Sequence, residues 1–354
     1  MNIYVIIIIL SIYLFIQVFP IKEQKKNKIF INTSFIILFI ILIIREPISD
    51  MQNYLSYFSF LRKTNYEQFL NFNLEFMYKL LNVVIAKIWF NERFFICVID
   101  TITTLEVYFF IKKYSKNYLI TILLFVAIGT YYMQFFILRQ AIAIAILLYS
   151  IRYIKSKRIF KFTLCVLIAT LFHKTSLVFL LAYFVCNIKF NLKYLTLWIG
   201  IWATTLMFKG IINNISIRYV YQKYSKMQTA GEGYGRLIIF IGILFLTVII
   251  DYFIKRKSNS NKEKLISIRE EDDEISIFYN LTLLTILFQI LTTQNDFFSR
   301  VANIFCIGPV ILLPNMISQL KMKQNKQIIS LLTIVCIIIY TIFKPSIIGY
   351  LTIF

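Results

Sequence analysis

Long apolar runs separated by short polar clusters fill this chain from end to end. Runs of helical length predict helices near 3–19, 29–44, 93–111, 118–137, 138–154, 161–172, 175–188, 194–209, 236–254, 275–292, 301–320 and 328–343. A span needs about 20 apolar residues to cross ~30 Å of hydrocarbon, and only helices or closed barrels satisfy their backbone there. The pattern therefore predicts an all-α polytopic membrane protein with about 11–13 transmembrane helices. The opening run lacks a basic leader and a small-residue cleavage site, so residues 3–19 read as a retained helix. The whole of 1–354 reads as a single integral membrane domain.

Two stretches depart from simple spanning periodicity. "LEFMYKLLNVVIAKIWF" (74–90) has apolar residues at helical spacing but carries Lys79, Asn82 and Lys87. It predicts an amphipathic helix lying at the outer interface. Residues 161–188 are interrupted by "FHKTS" at 172–176, which leaves two arms too short to cross separately. They predict a broken helix or hairpin whose tip, His173–Lys174, lines a water-filled cavity. One long tilted helix is the rival, and it would reverse every later connection.

Composition confirms the class: 59% of residues are hydrophobic and 16% charged, against roughly 45–50% and about 25% in soluble domains. A formal charge of +21 would suit a nucleic-acid partner, but its distribution excludes one. The basic residues form short clusters between spans, such as Lys22–Lys28, Lys112–Lys116, Lys155–Lys161, Lys255–Lys257 and Lys321–Lys326. Such clusters mark cytoplasmic ends, not a continuous duplex-binding face. Placing them inside puts the N-terminus, the connections 45–92 and 210–236 and the tip of 161–188 outside, with 255–274 as a polar cytoplasmic loop. The five cysteines are scattered through apolar segments without metal-ligand spacing, so no metal or other cofactor is expected.

With that orientation the remaining polar residues gather on the outer side. They include Arg45, Asp50, Tyr54 and Glu75 from the first outer connection, and Arg139 with Gln140 at a helix start. His173, Lys174 and Ser176 occupy the broken stretch, Arg218 and Arg236 the 210–236 connection, and Arg300 follows "TTQNDFFS". Arginine outside violates the positive-inside bias, and a guanidinium matches phosphate oxygens bidentately. At a helix N-terminus it adds to free N–H groups and the positive dipole end. Tyr219, Tyr221, Tyr224 and Tyr234 offer flat amphipathic faces for sugar rings. Simpler readings also fit individual residues: snorkelling anchors for the arginines, an aromatic belt for the tyrosines, an interior histidine for His173. Asp100 and Glu106, inside a span, read either as an ion site or as partners of a buried cation.

"FILRQAIAIAILLYSIRYIKSKRIFKFTLCVLIATLFHKTSLVFLLAYFV" (135–185) resembles the signature region of EpsG-like proteins, a branch of the Wzy-type bacterial polysaccharide polymerases. The matching positions are Arg139, Gln140, Ala169, Phe172, His173 and Ser176; Arg45, Asp50, Tyr54, Glu75 and Arg300 match more loosely. Two positions depart from the pattern: Glu46-Pro47 replaces a glycine after the first Arg, and Asn303 stands where a Tyr is usual.

The resemblance implies a GT-C-like membrane glycosyltransferase in the bacterial cytoplasmic membrane. It would join undecaprenyl-pyrophosphate-linked oligosaccharide repeats at the outer face, with a chain-length regulator and a flippase as partners. Arg45, Arg139, Gln140, Arg218, Arg236, Arg300, Tyr54, Lys174 and Ser176 would then hold the substrate, and His173, Asp50 or Glu75 would take the acceptor's proton. A lipid-linked oligosaccharide flippase is the alternative. Flippases usually carry repeats and midplane charges, whereas here no internal repeat is evident and charge collects on one side.

Overall fold

The computed structural model describes residues 2–47, 50–219, 233–258, 265–295, 297–320 and 322–343. Among them the regular structure is helical. In chain order the first helices are α1 (Asn2–Val18), α2 (Glu23–Ile44), α3 (Asp50–Lys63), α4 (Tyr66–Asn71), α5 (Phe76–Ile88) and α6 (Glu92–Tyr114). They continue with α7 (Tyr118–Ala127), α8 (Met133–Phe136), α9 (Leu138–Lys155) and α10 (Ile159–Thr170). After a 3-10 turn at Lys174–Phe179 come α11 (Leu180–Cys186), α12 (Leu192–Tyr219), α13 (Gly233–Ser258) and α14 (Leu265–Thr292). The chain closes with α15 (Phe297–Phe305), α16 (Ile307–Ser318) and α17 (Lys323–Phe343).

Among the described residues, seven helical stretches are long and apolar enough to cross a membrane: α2, α6, α12, α13, α14, α15 with α16, and α17. Four shorter apolar helices accompany them. The protein is an all-α, multi-pass membrane protein. Helix starts follow local capping chemistry. The side chains of Asn91 and Asn117 accept from Phe94 N and Ile120 N at the heads of α6 and α7, and Asn65 with Gln68 closes a capping box on α4.

Several expected elements change shape. The run 118–137 is not one helix: it stops at Ala127, turns through Gly129 with φ 91°, and resumes as the four-residue α8. Gly129 supplies the left-handed conformation that other residues avoid. The run 301–320 divides at Cys306. The stretch 161–188 is broken at Leu171–His173, as its polar interruption predicted. The connection 45–92 is largely helical, holding α3, α4 and α5. Of 210–236, residues 220–232, with Tyr221, Lys223, Tyr224, Lys226 and Glu232, lie outside the described residues. The 255–274 loop shrinks from both sides, because α13 runs to Ser258 and α14 starts at Leu265; residues 259–264 lie outside the described residues.

The helix at 74–90 forms as α5, but its polarity runs opposite to that of a surface helix in water. Tyr78, Lys79, Asn82, Ile85 and Ala86 are buried, while Phe76, Leu80, Val84 and Ile88 are exposed. Tyr78, Lys79 and Asn82 face protein, while most of the large apolar side chains and Lys87 at the C-terminal end face out, an arrangement suited to a helix bordering lipid. Lys79 accounts for its own burial. Its Nζ donates to the carbonyls of Phe69, Leu70 and Phe72 at 2.7, 3.1 and 3.1 Å, a cation placed on the C-terminal end of α4.

The chain divides into two compact units. The first comprises residues 1–151, 160–177 and 333–354. In it α2 packs on α6 and α1, and α3 packs on α5. The second comprises 152–159 and 178–332, with α14 at its centre against α11, α12, α13, α15 and α16. Phe190 and Tyr279 stack there with centroids 3.8 Å apart, and the Tyr279 hydroxyl donates to Thr247 O at 2.9 Å. Gly308 permits the closest approach of α16 to α14. A Cβ at that position would stand 2.7 Å from both Leu281 Cβ and Thr282 N.

Candidate active site

Four of the sequence-predicted polar residues of the first unit, Tyr54, Glu75, Arg139 and His173, converge on the beginning of α5. Glu75 occupies the position before the first helical residue of α5, where a carboxylate meets the positive end of the helix. Its Oε2 accepts from Arg139 Nη1 at 2.5 Å, across 64 positions of sequence. Its Oε1 lies 3.8 Å from His173 Nδ1, within ion-pair range although beyond hydrogen-bond length. One carboxylate thus faces a guanidinium with one oxygen and an imidazole with the other.

Backbone contacts explain why the three meet. The N–H of Met77, in the first turn of α5, donates to the carbonyl of Leu171 at 3.1 Å. This bond satisfies an N–H that has no partner within its own helix. It also ties the head of α5 to the break after α10, and His173 follows two residues later, its N–H bonded to Ala169 O at 2.9 Å. Arg139 stands in the first turn of α9. Its guanidinium also hydrogen-bonds the Tyr54 side chain, and the guanidinium carbon lies 5.9 Å from that ring's centroid.

Exposure grades the cluster. The side chain of Arg139 is 23% exposed, against 9% for Glu75 and 7% for His173. The arginine therefore forms the accessible edge, and the carboxylate and imidazole lie behind it. Tyr54 is buried and meets the ring of Tyr78 edge to face at 5.8 Å. Burial, then the neighbouring Tyr54, pushes the Tyr78 phenol well above the usual tyrosine range, so it remains a neutral donor.

The other predicted residues distribute as follows. Gln140 and Ser176 are fully buried, and Ser176 N donates to His173 O at 3.0 Å. Lys174 is exposed, as is Asp50 in the first turn of α3. Arg45 is buried, and its guanidinium meets the Asp100 carboxylate at 2.5 and 3.1 Å. Asp100 is thus the partner of a buried cation, one of the two readings open from sequence.

In the second unit, Arg236 Nη2 donates to Asn303 Oδ1 at 2.7 Å and lies 3.4 Å from Cys306 Sγ. Arg218 is exposed near the end of α12, and Arg300 is half-buried in α15. Tyr234 is exposed, and its hydroxyl accepts from Lys209 Nζ at 3.3 Å. Among the described residues, no three His, Cys, Asp or Glu side chains group closely enough to hold a metal ion.

Tyr78 is not among the residues singled out from the sequence, and Asn82 figures there only as a polar interruption of the helix. Their signal is spacing: Glu75, Tyr78, Lys79 and Asn82 fall three or four apart, one polar stripe on an otherwise apolar helix.

Chemically, this cluster offers a partly exposed guanidinium at a helix N-terminus, suited to an anionic oxygen group. Beside it stand a carboxylate and an imidazole, the side chains best suited to accept a proton. No curated protein and no solved structure matches the chain. The EpsG family model matches residues 28–350, nearly the whole sequence and all of the cluster. The chain belongs to the EpsG family, a Wzy-like family of polysaccharide polymerases.

Proposed function

We propose that the protein polymerises undecaprenyl-pyrophosphate-linked oligosaccharide repeats at the outer face of the bacterial cytoplasmic membrane. The observation that carries this reading is the Glu75 carboxylate held between Arg139 and His173. In the reaction a hydroxyl of the incoming lipid-linked unit attacks the anomeric carbon of the growing chain. The bond from that carbon to the pyrophosphate oxygen breaks, and the pyrophosphate leaves with the electron pair.

Arg139 binds the pyrophosphate and stabilises the charge that develops on it. A cation fixed in advance, at a site screened from water, lowers such a barrier most effectively. A diphosphate that engages Arg139 competes with Glu75 for the guanidinium donors. The released carboxylate then accepts the acceptor hydroxyl's proton, alone or shared with His173. Tyr54 holds Arg139 in place, and the ring of Tyr78 packs edge to face against Tyr54. The short basic clusters between spans support the outward orientation of this site through the positive-inside bias. A flippase and a chain-length regulator are proposed to serve as partners.

Deletion of the gene tests this reading in cells. The polymerase reading predicts loss of long glycan with single lipid-linked repeats accumulating on the outer leaflet. Accumulation on the inner leaflet alone would make the protein a flippase.

A further inference from the structure

The chemistry proposed above leaves one buried ion pair unused. Arg45 follows the last residue of α2, Asp100 lies in α6, and their side chains are 6% and 1% exposed. The contact is a two-pronged fork, Nη1 to Oδ2 at 2.5 Å and Nη2 to Oδ1 at 3.1 Å. Both charges have left water, so each depends on the other to offset its desolvation. Arg45 is anchored from its backbone as well, since its carbonyl accepts from Arg93 Nη1 at 2.7 Å.

The guanidinium reaches one step further. Its Nη2 also donates to the carbonyl of Gln134 at 3.3 Å, and its carbon stands 5.3 Å from the Phe135 ring. Gln134 and Phe135 belong to α8, a four-residue helix between the Gly129 turn and the non-helical Ile137. So short a helix has no cooperative stability of its own and must be held by its surroundings. The segment makes few polar side-chain contacts of its own: Thr130 Oγ1, Tyr132 Oη and Gln134 Oε1 are buried without a hydrogen-bond partner. Tyr131 Oη donates to Leu38 O in α2 at 2.7 Å, a second tie to the same helix that delivers Arg45. Immediately after this segment α9 begins, and Arg139 is its second residue.

We infer that Arg45 and Asp100 are positioning residues: their buried pair fixes Gln134 and the start of α9, and thereby sets where Arg139 meets Glu75. The inference rests on the proposed role of Arg139. It differs from a direct contact between Arg45 and substrate phosphate, because Asp100 already occupies the guanidinium.

Two variants of the full-length protein test it: Asp100→Asn, and the double variant Arg45→Gln/Asp100→Asn. The double variant removes both charges together and so avoids the bare buried guanidinium that Asp100→Asn leaves. In polymerisation assays with lipid-linked repeats, both are expected to lower kcat by at least about tenfold, since small misplacements of a catalytic group are costly. KM is expected to change less than kcat falls, because Arg139 keeps its charge and is displaced rather than removed. Hydrogen–deuterium exchange of residues 133–140 should accelerate about tenfold in both, with the α15 peptide unchanged.

A raised KM at constant kcat in the double variant, with Asp100→Asn near normal, would mean that Arg45 binds substrate directly and would overturn the inference. Unchanged exchange at 133–140 would overturn it as well. If wild-type protein forms no polymer, the functional reading fails, while the exchange result still decides whether the pair positions α8 and α9.

Discussion

The backbone N–H of Met77 and the carbonyl of Leu171 are hydrogen-bonded at 3.1 Å, joining the head of α5 to the break that carries His173. First-turn amides of a helix ordinarily face solvent unpaired. Met77 is therefore expected to exchange at least about tenfold more slowly than an unpaired first-turn amide. Exchange measured residue by residue in detergent or nanodiscs checks this, and a fast Met77 amide would separate Glu75 from His173.

Arg139 and Glu75 should be inseparable in function but exchangeable in stability. Arg139→Lys and Glu75→Gln are each expected to cost on the order of 10²-fold in polymerisation rate. The swapped variant Arg139→Glu/Glu75→Arg should recover most of the melting temperature, because the ion pair is rebuilt. It should stay inactive, because the cation has left the α9 N-terminus. Melting curves read beside polymer yield distinguish the two effects.

Lys79→Met keeps the apolar stem but removes the charge from three carbonyls at the end of α4. Losing charged hydrogen bonds at this part-buried helix end is expected to cost about 1.5–3 kcal/mol at most. The loss should appear as faster exchange and easier proteolysis around residues 66–72, with α6 unaffected.

Gly308→Leu should fail for steric reasons alone, since even a Cβ at that position stands 2.7 Å from α14. Over-packing of this kind typically costs about 1–3 kcal/mol. Thermal melting should show it, and Gly308→Ala is expected to fall between wild type and Leu.

Much of this organisation is legible in the sequence, because the bilayer imposes length and apolarity on every span. The breaks at 128–132 and at Cys306 are harder to see. Apolar composition continues through both, and only Gly129 marks the first. The polar interruption at His173 is visible because charge in hydrocarbon demands a reason.

Arg139, Glu75 and His173 are each identifiable as candidates, yet their meeting depends on contacts across 64 residues and on the Met77–Leu171 bond, which no local pattern encodes. Arg45 and Tyr54 illustrate the converse. An arginine and a tyrosine on an outer connection suggest ligand contacts, whereas here Arg45 is buried against Asp100 and Tyr54 behind Arg139. Asp100 held the clue, since a carboxylate inside an apolar helix requires a partner. The inward polarity of α5 follows from the same rule, because a helix beside lipid turns its polar stripe toward protein.

Arg139 with Glu75 and His173 is proposed to form the polymerising centre. Purified protein in lipid, supplied with lipid-linked repeats, measures this directly as a ladder of glycan lengths. Long ladders are expected for wild type, and for Arg139→Ala and His173→Ala at most a trace above single repeats, with both variants folded. Full-length ladders from either variant would contradict it.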